Sequence, residues 1–176
     1  MAAANIASGT ITGANIAAAT IAGANIAAGT VAASNLVSVI GGAWVAYTPT
    51  WTSAGTPPAI GNGTLVGKYW QLGKTIGVRI SLIAGSTTTF GNSSNAWTFA
   101  LPNTARGDST NQIVSGFVQP GSGLYYNLVC VITSGGGTLA PWVNVSGTAQ
   151  GLISGGTLGF LGPSTTLAIE GIYEAL

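Results

Sequence analysis

A five-residue repeat at the start of the chain constrains its fold more than any other feature. From Ala4 the sequence runs ANIASGTITG, ANIAAATIAG, ANIAAGTVAA and then SNLV. An aliphatic residue recurs at every fifth position: Ile6, Ile11, Ile16, Ile21, Ile26, Val31 and Leu36. Before each stands a small polar residue, alternating Asn5, Thr10, Asn15, Thr20, Asn25, Thr30 and Asn35. On an α-helix such a row steps by about 140° and smears around the axis. On a flat strand an odd period throws successive members onto opposite faces. The spacing suits a coiled or extended β-structure with one inward aliphatic per side, and Gly13 and Gly23 offer permissive backbone at its turns. A helix is the competing arrangement for so Ala-rich a stretch. Either way, one thin row of aliphatics cannot enclose itself, so assembly is expected.

Charge is the second constraint. Only 4% of the residues are charged, against about 25% in a typical soluble domain. Lys68, Lys74, Arg79, Arg106, Asp108, Glu170 and Glu174 are all of them, and the first 67 residues have none. A net charge of +1 excludes a strong electrostatic hold on nucleic acid or anionic lipid. The uncharged stretch from Ile16 to Ala33 is long enough to cross a membrane. Thr20, Asn25 and Thr30 interrupt it and no basic residue flanks it, so neither a membrane span nor a signal peptide is expected.

From Trp44 onward the character changes, and every aromatic residue lies there. Strand-like runs are separated by Gly, Ser, Pro and Asn clusters. In TIGVRISL, Ile76, Val78, Ile80 and Leu82 share one face, with Gly77, Arg79 and Ser81 on the other. WTFALP places Trp97, Phe99 and Leu101 together and stops at Pro102. GLYYNLVCVIT is apolar on both faces, as in a central strand or at a subunit contact. LVGKYWQL, QIVSGFVQ, PWVNVSG, TLGFLG and TTLAIEGIYEAL are further candidates. The reading is all-β: a repeat stalk over 1–43, then a jelly-roll-like β-sandwich of eight or nine strands over 44–176.

Two resemblances bear on this reading. The repeat resembles pentapeptide-repeat solenoids, and more closely the ANIA-x-GTI-x-G repeats of phage tail and fibre proteins. Solenoids of the first kind use four such sides per coil, so seven sides make fewer than two coils, below the roughly three repeats that stability requires. Three chains sharing one axis and one aliphatic column is the expected arrangement. The second part, from YTPTWTSAGTPPAIGNGTLVGKYWQLGKTIGVRISLIAGSTTTFG through WTFALP to the closing GIYEAL, is similar to the C-terminal β-domain of minor tail and fibre proteins of actinobacterial phages. That resemblance is strongest from Tyr47 to about Leu101. It implies a non-enzymatic virion protein, a homotrimer held to other virion proteins by its repeat, with a head that touches host-surface glycan.

Residues with reactive chemistry are few. With no histidine, triad and general-base catalysis lose their usual group. Cys130 sits in LVCVIT and reads as a small buried hydrophobe. Glu170 and Glu174 are the one candidate pair for polysaccharide cleavage. At strand rise they lie about 13 Å apart, beyond the roughly 5–9.5 Å that glycosidases use, unless a subunit contact brings carboxylates together. LGKT at Leu72–Thr75 lacks the upstream glycine of a phosphate loop. Arg106-Gly107-Asp108 reads as a polar turn. No metal site or cofactor is expected. Trp51, Trp70, Tyr125, Tyr126 and Trp142 are the candidates for stacking on sugar rings, against the commoner use of aromatics in core or interface. The functional expectation is a trimeric short tail fibre or minor tail protein. The alternatives are a capsid decoration fibre and a polysaccharide-degrading enzyme with an intersubunit site.

Overall fold

Alternation builds the longest strands. Ile76, Val78, Ile80 and Leu82 are at most 1% exposed, while Arg79 between them faces solvent. Trp97, Phe99 and Leu101 share the same interior. The computed structural model describes residues 11–18, 20–27, 43–92, 94–121, 123–144, 150–156 and 161–176. The chain divides into two compact units, Met1–Val37 and Ser38–Leu176.

Within the first unit the described residues hold two single turns of 3-10 helix, Gly13–Asn15 and Gly23–Asn25, at equivalent places in successive repeats. The second is closed by Asn25, whose N–H donates to Ala22 C=O at 2.8 Å while its side-chain oxygen accepts from Ala22 N–H at 3.0 Å. Asparagine is suited to such local bonds. Gly13 opens its turn without a left-handed backbone angle, so the permissiveness expected of it is not used.

The second unit is all-β. Its strands are β1 (Val45–Tyr47), β2 (Trp51–Thr52), β3 (Thr64–Leu72), β4 (Thr75–Ile83), β5 (Thr98–Ala100), β6 (Gln112–Gln119), β7 (Tyr126–Ile132), β8 (Thr138–Asn144), β9 (Gln150–Leu152) and β10 (Thr166–Glu174). They form one continuous antiparallel sheet in the order β1-β3-β4-β10-β6-β7-β8-β5-β2, with β9 beside the far half of β8. The sheet curls into a half-barrel around the core. GLYYNLVCVIT holds the central strand β7, between β6 and β8.

Local chemistry fixes the turns and breaks. β3 and β4 join through Gly73 and Lys74, and Gly73 takes φ +59° as the first residue of that two-residue loop, where glycine is favoured. Pro141 sits inside β8, a strand paired on both edges. Its C=O accepts from Ile153 N–H, so its missing donor points to the edge where β8 changes partner from β5 to β9.

The core ends in an aromatic cluster. Trp51 and Trp97 meet edge to face with ring centres 5.0 Å apart, and Trp51 lies parallel to Phe99 at 6.1 Å. The Trp97 indole donates to Phe90 C=O at 3.0 Å. Near the opposite end of β10, the Tyr173 hydroxyl donates to Asn103 C=O at 2.8 Å, and burial pushes its pKa up to about 12. Burial raises Tyr47 in the same direction, with Tyr173 nearby adding to it.

Two outcomes follow. Replacing Gly116 by Ala aims a methyl at the Ala168 carbonyl and the Ile169 Cα, backbone of the neighbouring strand that cannot step aside. G116A should lose about 1–3 kcal/mol in urea unfolding. G137A, with open space around it, should stay within about 0.5 kcal/mol. The tyrosines give a pH dependence. A phenol whose folded pKa exceeds its unfolded value of 10.0 stabilises the fold fully below pH 10. That stability should disappear as pH rises from 10 to about 12, with absorbance titration and unfolding coinciding. A Tyr173 phenol that titrates at pH 10 in the folded chain would contradict it.

Candidate interaction surfaces

Among the described residues the aliphatic row of the repeat is exposed. Ile11, Ile16, Ile21 and Ile26 are 40–58% exposed. Ile6, Val31 and Leu36 lie outside the described residues.

The five aromatic candidates do not form one platform. Trp51 is 7% exposed and belongs to the core, so it cannot stack on a sugar. The reason is the position of β2 on the end of the sheet next to β5, which turns Trp51 against Trp97 and Phe99. Tyr126 is half-buried and packs against the same core. Trp70 and Trp142 are half-buried on the outer face of the sheet. They stand on β3 and β8, with β4, β10, β6 and β7 between them. Trp70 lies over Gly77, its ladder partner, whose missing side chain makes room for the indole. Tyr125 is 63% exposed beside Leu124 in the β6–β7 loop, and its ring meets Phe117 edge to face at 5.2 Å.

Sequence reasoning missed the apolar character of the sheet's outer face. Val66, Ile83, Ile113 and Ile172 are 48–62% exposed there. The signal was present in alternation: once Val114 and Val118 face inward, Ile113 and Phe117 must face out. In the middle of this face Arg79 and Glu170 stand directly opposite one another. They form a two-point ion pair, with Nη2 to Oε1 at 2.9 Å and Nε to Oε2 at 3.1 Å. Arg79 also lies 5.1 Å from the centre of the Trp44 ring. Exposed pairs of this kind add about 0–1 kcal/mol, so they set register and neutrality more than stability.

Arg106, Asp108 and Glu174 are engaged in the same way. Arg106 pairs with Glu174 through Nη1. Its Nε lies 2.9 Å from Asp108 Oδ2, a charge contact without hydrogen-bond alignment. The main chain of Arg106 is also occupied, its N–H donating to Glu174 C=O and its C=O accepting from Gly135 N–H. The Arg106-Gly107-Asp108 tripeptide is therefore tied to the end of β10. Glu170 and Glu174 share a strand, each held by a different arginine. Cys130 is fully buried, and burial pushes its thiol up to about 12, so no thiolate is presented at neutral pH.

Among the described residues no three His, Cys, Asp or Glu side chains gather as a metal site. No helix among them is long and apolar enough to cross a membrane. Comparison with protein-family models, with curated proteins and with solved structures finds no match to this chain.

Proposed function

We propose that this chain is a non-enzymatic virion structural protein, a trimeric short tail fibre or minor tail protein. Residues 1–43 serve as the stalk, shared among three copies and docked on other virion proteins. Residues 44–176 form the head, whose curled sheet acts as a jelly-roll-like sandwich and meets the host surface. One observation carries the reading: a regular row of isoleucines, 40–58% exposed in the single chain, with no charge anywhere along it. Exposed aliphatics at fixed spacing are costly in water, and a shared column in a trimer covers them.

The apolar outer face of the sheet supports the same reading, because it offers further surface to neighbouring subunits. Three heads on one axis raise effective concentration, so weak single sites suffice for attachment. Of the aromatic candidates, Tyr125 with Phe117 and Leu124 is best placed for glycan contact, and Trp70 and Trp142 remain on the outer face. The capsid decoration reading keeps the architecture and moves the anchor to the shell.

Gold-labelled antibody against this chain, applied to intact particles, tests the reading. Label at the tail with few copies per particle is the expected result. Label spread over the shell at high copy number favours decoration, and absence from purified particles contradicts both. Removing residues 1–37 should shift dissociation of the assembly to roughly tenfold higher concentration or beyond, read by sedimentation. An unchanged assembly would assign the driving force to the head. Release of reducing ends from host polysaccharide, lost in E170Q or E174Q, would instead establish the enzyme reading.

A further inference from the structure

The half-barrel has a seam, and one proline opens it. Residues 45–52 form a single path that pairs first with β3 and then with β5. Val45 lies opposite Tyr69 and Tyr47 opposite Gly67. The next partner in that register, opposite Leu65, is residue 49. Residue 49 is proline and has no N–H to give. One residue later Thr50 C=O already accepts from Ala100 N–H at 2.9 Å, so the chain has crossed to the other side of the sheet.

The phase of the ladders shows what this leaves behind. Ala84 N–H donates to Thr165 C=O, so even-numbered residues of β4 point their main chain to β10 and odd-numbered ones to β3. On β3 the even positions therefore bond to β4, and the N–H and C=O of Leu65 point to the free edge. Across the seam, Thr50 and Thr52 face β5, and the main chain of Trp51 faces away from it. The Trp51 indole Nε1 is also buried without a hydrogen-bond partner. Between these edges lies a cleft of ≈ 490 Å3 lined by Pro49, Trp51, Pro58, Ile60, Leu65 and Val66. No lysine, bulge or proline guards β3 at Thr64–Val66, the devices by which sheets protect exposed edges.

We propose that this seam is a β-augmentation site for an extended, uncharged polypeptide segment from a partner chain. The segment runs antiparallel to β3 at Thr64–Val66 and offers its main-chain N–H and C=O groups to Leu65 on one side and Trp51 on the other. Strand-like edges on both walls match a ribbon that alternates donors and acceptors on its two sides. Walls of proline, tryptophan, leucine and isoleucine exclude a charged segment, because a charge there would be stripped of water without a partner. Main-chain bonding makes the site tolerant of sequence. The site does not depend on a virion role.

The test uses the full chain labelled with 15N and the synthetic peptide acetyl-Gly-Thr-Val-Thr-Val-Thr-Gly-amide. On titration, the Leu65 and Trp51 backbone amides should shift, and their hydrogen exchange should slow by roughly tenfold or more. The same peptide N-methylated at every internal residue should produce neither effect, since it has lost the donors of both edges and the protein is unchanged. Absence of both changes at saturating peptide overturns the proposal. So does an equal response to the methylated peptide, which would mark a merely apolar surface. A neutral chito-oligosaccharide that shifts and protects the same two groups would overturn it in favour of a glycan groove.

Discussion

Strand β10 makes the sheet one object. It pairs with β4 from Thr166 to Glu174 and with β6 from Thr166 to Glu170. Among the described residues no other strand pairing joins β1, β3 and β4 to the group β6, β7, β8, β5 and β2. The core therefore closes only when the last residues of the chain arrive, and its pairings span long sequence separations, a slow route to a fold. Glycines mark the ladders around this strand. Gly116 and Gly171 let β6 and β10 approach so closely that any Cβ would overlap the neighbour. The C-terminal end of β10 also anchors a loop: Glu174 C=O accepts from Arg106 N–H, and the Tyr173 hydroxyl donates to Asn103 C=O.

A sheet spliced in this way has two faces with different tasks. The inner face is filled by Ile, Leu, Val and the aromatic cluster and needs nothing further. The outer face carries exposed isoleucines around one neutral ion pair, and the repeat carries exposed isoleucines with no charge at all. Both surfaces hold apolar area that a lone soluble chain leaves wet at a cost of about 25 cal/mol per Å2. Association, as proposed, would cover both surfaces, and the near absence of charge leaves little for salt to screen.

Much of the fold was legible in the sequence because strand alternation is a local signal. TIGVRISL and WTFALP bury the residues expected inside, and GLYYNLVCVIT and TTLAIEGIYEAL hold the strands β7 and β10. The order of those strands was not legible, since the place of β10 between β4 and β6 is a long-range choice that no window contains. The interaction surfaces were legible in part. Tyr125, one of the five sugar-stacking candidates, is exposed, because the strand within GLYYNLVCVIT begins only at Tyr126. Trp51 stood among the sugar-stacking candidates, whereas a strand of two residues beside β5 buries it. The seam at Pro49 was hidden for a related reason: a proline at the end of a strand looks like an ordinary stop until the partner it leaves unpaired is known.

The proposed trimer requires association of the chain with itself. Light scattering of the intact chain after size separation measures this directly. The expected mass is three times the 17.3 kDa of one chain, maintained on dilution. A stable species of one chain mass, soluble with its isoleucine row uncovered, would contradict it.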